Sequence, residues 1–213
     1  MPTPFSATSP TTPLRGVYLI TPQPPAPVRA IVAAGLRGGV RMVQFRIKEG
    51  STAENYALAC ELLALCRQYN ALFIVNDDIA LCRQLGADGI HLGAEDRPLE
   101  EARRLLGPSA IIGASCYNEL ERAHHAQAQG ANYVAFGAVY SSSTKPDACH
   151  ADLALFQQAR NSLQVPVCAI GGITPDNAAP VVAAGADLLA VIQGISAAPD
   201  PEAAANQLCA LFK

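Results

Sequence analysis

The sequence predicts an α/β protein built as a single-domain (β/α)8 barrel, and three observations lead to this prediction. Short apolar runs alternate strictly with stretches of helical periodicity, and eight such pairs fit within the 213 residues. This alternation is typical of parallel strands joined by crossover helices. A count of eight favours a closed barrel over an open sheet, and the length suits one such domain. Related four-residue segments that begin with glycine, which we call glycine-containing words, also precede every second strand.

In the first half of the chain, each predicted strand is a short apolar run that ends in polar residues. Prolines between Thr21 and Pro27 exclude both a ladder and a helix there. The four predicted strand and helix pairs are Gly16 to Ile20 with Val28 to Leu36, Arg41 to Phe45 with Ala53 to Tyr69, Leu72 to Val75 with Ile79 to Leu85, and Gly89 to Leu92 with Leu99 to Leu106.

The same alternation continues in the second half. Its four predicted pairs are Ala110 to Ala114 with Glu119 to Gln129, Tyr133 to Phe136 with Ala151 to Asn161, Val167 to Ile170 with Pro175 to Ala184, and Leu188 to Ile192 with Pro201 to Leu211. Even-numbered strands are entered by Gly38-Gly39-Val40-Arg41, Gly86-Ala87-Asp88-Gly89, Gly130-Ala131-Asn132-Tyr133 and Gly185-Ala186-Asp187-Leu188. The leading glycine suits a left-handed residue just past a helix, and the recurrence is expected of a symmetric barrel.

Composition limits the classes of partner. Half of the residues are apolar, 15% are charged and the formal net charge is −3, so the chain lacks the basic field of a nucleic-acid-binding protein. Seven scattered cysteines without a C-x-x-C pair indicate reduced thiols and a cytoplasmic location. No apolar run has the length of a membrane span. Residues 1–13 lack the features of a signal peptide and are expected to form a disordered tail.

Acidic groups follow the third and fourth predicted strands, where a barrel carries its active site. Ile74-Val75-Asn76-Asp77-Asp78 ends one run, and Leu92-Gly93-Ala94-Glu95-Asp96 ends the next. Mg²⁺ takes one or two carboxylates and completes its shell with water and phosphate oxygens. The pattern therefore indicates a magnesium site, although Asp77 and Asp78 equally suit the start of the following helix.

Candidate phosphate binders follow three other strands. The two-residue period of a strand places Gln44, Arg46 and Lys48 on one side, which suits a diphosphate, while a solvated charged strand end is the alternative. A hydroxyl-rich loop with a lysine follows the sixth strand. Paired glycines after the seventh strand and Gln193-Gly194 after the eighth match the barrel phosphate site, although a tight turn also explains the glycines.

Two side chains of reactive types, a histidine and a cysteine, are not expected to take part in catalysis. His91 lies within a strand, where a hydrogen-bonded core histidine is more common than a proton shuttle. Cys116 follows Ser115, but no base is positioned by the sequence to activate it, so a nucleophilic role is not expected.

The motifs together resemble the thiamine phosphate synthase family over nearly the whole chain from Gly16. They are Val43-Gln44-Phe45-Arg46-Ile47-Lys48-Glu49, Val75-Asn76-Asp77, Gly86 through Asp96, Ile112-Gly113-Ala114-Ser115, Phe136-Gly137 and Ala169-Ile170-Gly171-Gly172-Ile173. The resemblance implies a Mg²⁺-dependent transferase. It joins hydroxymethylpyrimidine diphosphate to a thiazole phosphate, with or without its carboxyl group, and releases pyrophosphate.

The resemblance also assigns site residues. It implies a pyrimidine diphosphate site at Gln44, Arg46, Lys48, Asn76, Ser115 and Lys145, with catalytic roles for Arg46, Lys48, Ser115 and Lys145. It implies metal ligands at Asp77 and Asp96, and a thiazole phosphate site at Ser142, Ser143, Thr144, Gly172, Ile192 and Gln193. Ser142-Ser143 and Gln193-Gly194 depart from the Thr-Pro and Ser-Ala usual in the family.

Two rival functions remain open at this stage. A thiazole tautomerase shares the barrel but does not need the full diphosphate and metal set, and fold alone never determines function. A non-catalytic sensor of thiamine precursors is the other alternative, which a complete metal site argues against. In each case the expected partners are small molecules, with neither nucleic acid nor membrane, and the sequence leaves the oligomeric state open.

Overall fold

The computed structural model describes residues 14–47, 52–93, 98–141 and 149–213. Its strands form one closed, all-parallel barrel in sequential order, β1 pairing with both β2 and β8. The predicted fold class is therefore confirmed. The strands are β1 (Gly16–Ile20), β2 (Met42–Phe45), β3 (Leu72–Asn76), β4 (Gly89–Leu92), β5 (Ile111–Tyr117), β6 (Tyr133–Gly137), β7 (Val167–Ile170) and β8 (Leu188–Val191).

Helices follow each strand and cover the outside of the barrel. Several begin at a residue whose side chain caps the helix. Thr52 caps α2, since its hydroxyl accepts from the Asn55 backbone N–H at 3.1 Å. The helices are α1 (Val28–Arg37), α2 (Ala53–Gln68), α3 (Ile79–Leu85), α4 (Leu99–Leu106), α5 (Leu120–Ala128), α6 (Leu153–Ser162), α7 (Ala178–Ala183), α8 (Gln193–Ser196) and α9 (Pro201–Ala210).

The core has two layers because successive strand residues point to opposite faces. In β2, Val43 and Phe45 belong to the large cluster between sheet and helices, whereas Met42 belongs to a smaller cluster inside the barrel. Gln44 alternates with them, is 2% exposed and donates to the hydroxyl of the lumenal Tyr18. The predicted period of this strand is therefore observed for the part that the structure describes.

The glycine-containing words have a common structural role at the N-terminal rim of the barrel. Gly86, Gly130 and Gly185 have positive φ angles of 63°, 87° and 113°, and in the first word this conformation falls on Gly39 at 105°. The polar residue of three words accepts a hydrogen bond from a backbone N–H of the preceding strand: Asp88 from Phe73 at 2.7 Å, Asn132 from Ile112 at 2.8 Å and Asp187 from Val167 at 3.0 Å.

An arginine from the helix that precedes β3, β5 or β7, namely α2, α4 or α6, completes each arrangement, which we call a rim clamp. The nitrogen to oxygen distances are 2.8 Å for Arg67 and Asp88, 2.7 Å for Arg103 and Asn132, and 3.7 Å for Arg160 and Asp187. Three clamps join β3 to β4, β5 to β6 and β7 to β8. The backbone hydrogen bond recurs in all three, whereas the arginine contact is a hydrogen bond in the first two and a longer ion pair in the third.

Most element boundaries lie within two residues of the predictions, and three differences are larger. β5 continues to Tyr117 because a register shift between Ser115 and Tyr117 keeps it paired with β6. Helix α7 starts at Ala178 instead of Pro175, since the preceding residues form a turn in which the Asn177 carboxamide accepts from the Thr174 N–H at 2.8 Å. The short helix α8 follows β8 and was not predicted. The predicted tail at residues 1–13 lies outside the described residues.

Within the described ranges, no helix combines the length and apolar character needed to cross a membrane.

Candidate active site

The carboxyl end of β2 is held in place by the loop after β1. The Thr21 hydroxyl accepts from the Arg46 backbone N–H at 2.9 Å, and the Gln23 side-chain amide donates to the Arg46 carbonyl at 2.6 Å. Both backbone groups of Arg46 are thereby engaged just beyond the barrel rim, where its side chain is half-buried. Gln44 lies one layer deeper, with its Nε2 atom 2.7 Å from the Tyr18 hydroxyl.

The two aspartates after β3 have different roles. Asp78 caps α3, since its carboxylate accepts from the Leu81 N–H at 2.9 Å. Asp77 has a left-handed backbone with φ of 60°, its own N–H donates to the His91 carbonyl at 2.9 Å, and its exposed carboxylate accepts from the Asn76 amide. The capping alternative is therefore correct for Asp78, while the Asp77 carboxylate is paired with the Asn76 amide.

A cleft of about 490 Å³ opens between these two strand ends. Arg46 lines it from β2, and Asn76 and Asp77 line it from β3. Asn55 and Tyr56, in the first turn of α2, also line it and were not predicted as site residues. Asp78 lines the cleft as well, although its carboxylate caps α3. A cation, amides and carboxylates thus share one concave surface at the carboxyl ends of the strands, where barrel active sites lie.

The donor set of the cleft fits a magnesium ion. Mg²⁺ needs only one or two protein carboxylates when phosphate oxygens and water complete its shell, and Asp77 presents one beside the Asn76 amide. Among the described residues, no three His, Cys, Asp or Glu side chains are grouped as a metal site. The second predicted ligand, Asp96, lies outside the described residues, as do Lys48, Ser142, Ser143, Thr144 and Lys145.

Ser115 approaches the rim from β5, just before the register shift of that strand. Its Oγ lies 2.9 Å from Nε2 of His91, whose Nδ1 lies 2.9 Å from the Tyr133 hydroxyl. His91 is 9% exposed, so the interpretation as a hydrogen-bonded core residue agrees with the structure. Its two partners could not be predicted from the sequence, because only the closed barrel brings side chains of β4, β5 and β6 together.

Of the predicted thiazole phosphate residues, the structure describes Gly172, Ile192 and Gln193, which follow β7 and β8 on the opposite side of the rim. Gly172 follows β7 with φ of 60°, and a Cβ atom there would stand 2.6 Å from the Ser141 carbonyl oxygen. Asn177 holds this turn by donating to the Gly172 carbonyl at 3.0 Å. Ile192 and Gln193 form the start of α8 after β8. Asn177 was not predicted, although an Asn three residues after Thr174 is a recognisable turn signal.

Two of the buried cysteines are unsuited to nucleophilic catalysis. Burial raises the pKa of the Cys116 and Cys168 thiols to about 12, and both side chains are fully buried. A thiol is a nucleophile only when ionised, so Cys116 has no such role near neutral pH. All seven cysteines are free, and Cys149 is exposed.

Comparison with known proteins identifies the family of this chain. The family model described as thiamine monophosphate synthase matches residues 17–195. The chain belongs to the thiamine monophosphate synthase family. The family predicted from the motifs is therefore confirmed.

Individual relatives are similar over almost their full lengths. The thiamine-phosphate synthase of Thioalkalivibrio sulfidiphilus is 54% identical over 94% of this chain and 96% of its own. The thiamine-phosphate synthase of Thiobacillus denitrificans is 50% identical over 92% of this chain and 94% of its own. The solved thiamine phosphate pyrophosphorylase of Pyrococcus furiosus has a TM-score of 0.84 and 37% identity, covering 92% of this chain and 94% of that one. These proteins thus resemble this chain in both fold and sequence.

Proposed function

We propose that this chain is a transferase that joins 4-amino-2-methyl-5-hydroxymethylpyrimidine diphosphate to a thiazole phosphate, giving thiamine phosphate and pyrophosphate (EC 2.5.1.3). Its relatives at 45–54% identity are named thiamine-phosphate synthase. The observation that carries the proposal is the cleft in which Arg46, Asn76 and Asp77 converge at the carboxyl rim of the barrel. This donor set is suited to a diphosphate and its cation.

The proposed substrate sites divide the rim between two sides. We assign the pyrimidine diphosphate to the side of β2, β3 and β5, and the thiazole phosphate to the turns after β6, β7 and β8. The first set is Gln44, Arg46, Lys48, Asn76, Ser115 and Lys145, with Mg²⁺ held by Asp77 and Asp96. The second set is Ser142, Ser143, Thr144, Gly172, Ile192 and Gln193.

Charge explains how the site would promote the reaction. The C–O bond between the pyrimidinylmethyl carbon and the diphosphate breaks, and its electron pair leaves with pyrophosphate. In the proposed site, the positive charges of Arg46, Lys48 and Lys145 offset this charge. Bound Mg²⁺ supplies further positive charge to the diphosphate oxygens. The ring nitrogen of the thiazole then donates its lone pair to the carbon, so that no protein nucleophile is needed.

Two further assignments concern the cellular compartment and the class of ligand. Seven free cysteines fit a reducing compartment, so we assign the protein to the cytoplasm. Small molecules are the proposed ligands, because the cleft is sized for them.

The test is product formation by the purified protein. Both substrates are supplied with and without Mg²⁺, and thiamine phosphate and pyrophosphate are quantified together. Equal, Mg²⁺-dependent yields of the two products are expected. Isomerisation of the thiazole phosphate without pyrophosphate release would instead indicate a tautomerase, and tight binding of both substrates without turnover would indicate a sensor.

A further inference from the structure

A continuous chain of hydrogen bonds crosses the barrel lumen from β2 to β5. Gln44 Nε2 donates to the Tyr18 hydroxyl at 2.7 Å, and the Tyr18 and Tyr133 hydroxyl oxygens are 2.9 Å apart. Tyr133 lies 2.9 Å from His91 Nδ1, and His91 Nε2 lies 2.9 Å from Ser115 Oγ. Both ends of this lumenal chain are proposed substrate-binding residues, whereas its three middle members have no assigned role.

The packing around the lumenal chain allows little movement. Tyr18 and Tyr133 are 1% and 0% exposed, and their rings meet edge to face with centroids 5.8 Å apart. The His91 ring stacks on Tyr133 at 5.5 Å. Gly113 makes this possible, since a Cβ atom there would lie 2.0 Å from the Tyr133 ring. Ring positions set by close packing preorganise the polar atoms that they carry.

Satisfaction of every donor determines the direction of the hydrogen bonds. With the Gln44 amide oriented to donate to Tyr18, every donor in the chain has an acceptor when Tyr18 donates to its other partner, the Tyr133 hydroxyl. Tyr133 then donates to His91 Nδ1, and the proton of His91 is on Nε2, directed at Ser115 Oγ. The Ser115 oxygen is therefore an acceptor within the protein, which leaves its own proton for a ligand. The Gln44 amide likewise commits its nitrogen to Tyr18 and presents its oxygen as an acceptor.

We propose that His91 is a positioning residue for the pyrimidine diphosphate. Through the lumenal chain, it holds the Ser115 hydroxyl as a donor for the diphosphate and supports Gln44 as an acceptor for the amino group of the pyrimidine. A serine hydroxyl otherwise rotates among three staggered positions, so the hydrogen bond from His91 selects one of them. This inference rests on the proposed function because it assumes that Gln44 and Ser115 contact that substrate.

A double-mutant cycle between His91 and Ser115 tests the inference. His91→Asn keeps a polar group near Tyr133 but does not reach Ser115, and Ser115→Ala removes the hydroxyl that His91 is proposed to hold. We expect His91→Asn to lower kcat/KM for the pyrimidine diphosphate by about tenfold or more. In the Ser115→Ala background, the same change should cost less than about twofold, because the group being positioned is absent. His91→Gln, whose longer amide reaches toward Ser115, should recover part of the loss.

The controls separate positioning from a merely structural role. His125→Asn makes the same exchange at an exposed position of α5 and should leave kcat/KM unchanged in both backgrounds. Equal losses from His91→Asn with and without Ser115 would overturn the inference, and so would the absence of a loss. If His91→Asn does not fold, Tyr133→Phe, which keeps the ring and removes only the hydroxyl, takes its place in the cycle with the same expectations.

A wild-type protein that forms no thiamine phosphate would contradict the proposed function separately. The same cycle is then measured as the Kd of the pyrimidine diphosphate by calorimetry. Non-additive losses of affinity would still support the positioning role of His91. Additive losses would overturn it.

Discussion

Asp77 and Asp88 stand at opposite rims of the barrel and have very different surroundings. Asp88, before β4, accepts from the Phe73 N–H and pairs with Arg67 at 2.8 Å, so the barrel itself uses its carboxylate. Asp77, after β3, is exposed on a cleft that Arg46 and Asn76 share. The same type of side chain thus joins strands at the N-terminal rim and borders an open cleft at the C-terminal rim. This division is expected of a barrel, in which stability and catalysis reside at opposite ends.

The largest expected effect on activity is that of a substitution at Asp77. Asp77→Asn keeps a residue that tolerates the left-handed backbone but removes the charge. If Asp77 binds Mg²⁺, kcat at saturating substrates should fall by roughly 100-fold or more, and the Mg²⁺ concentration for half-maximal rate should rise. Thermal unfolding in the absence of ligands should be nearly unchanged.

Asp78→Asn is the matched control for that experiment. Asn caps a helix about as well as Asp, so the hydrogen bond to the Leu81 N–H can be kept. The activity of this variant should stay within about threefold of wild type. Equal losses in the two variants would contradict the division of roles between neighbouring aspartates.

The next largest effect concerns the rim clamps. Asp88→Ala removes the acceptor of the Phe73 N–H and should lower the free energy of unfolding by about 1–3 kcal/mol, measured by urea denaturation. Asp88→Asn should cost less than about 1 kcal/mol, because Asn132 fills the same position in its own clamp with an amide. Neither variant should alter kcat at 25 °C, and a lost Mg²⁺ response in Asp88→Ala would refute the separation of the rims.

These two rims also differ in how far the sequence could predict them. The glycine-containing words identified the starts of β4, β6 and β8 correctly and that of β2 to within one residue, since a left-handed glycine and a polar residue are local signals. Their hydrogen bonds to the preceding strand are contacts between distant positions, which no local pattern encodes. Asp77 and Asp78 were predicted as a pair, and only the backbone geometry separates the cap from the exposed carboxylate. The lumenal chain was missed for the same reason, because four different strands supply Tyr18, Gln44, His91 and Tyr133.

A smaller effect is expected at the turn after β7. Gly172→Ala places a methyl group against the Ser141 carbonyl at a left-handed residue, so it should cost about 1–2 kcal/mol of stability. It should also raise KM for the thiazole phosphate more than KM for the pyrimidine diphosphate. Gly130→Ala is the control, since its φ of 87° imposes similar backbone strain with open space around the added methyl group. A selective change of KM in Gly130→Ala would argue against a ligand-binding role for the Gly172 turn.

The smallest effect lies in the core, between the two rims, and depends on pH. Burial raises the pKa of Cys116 from an ordinary value of 9.0 to about 12. The folded state therefore keeps the thiol proton that the unfolded chain releases above pH 9, and stability should decline from there until about pH 12. Between pH 8 and 10, this thiol should contribute about 1 kcal/mol of the loss in the free energy of unfolding. Cys116→Ala should reduce the pH-dependent loss by that amount, whatever its effect at pH 8, whereas Cys149→Ala, at an exposed position, should leave it unchanged. An unaltered pH dependence in Cys116→Ala would show that its thiol already ionises in the folded state, and would reopen a reactive role for it beside Ser115.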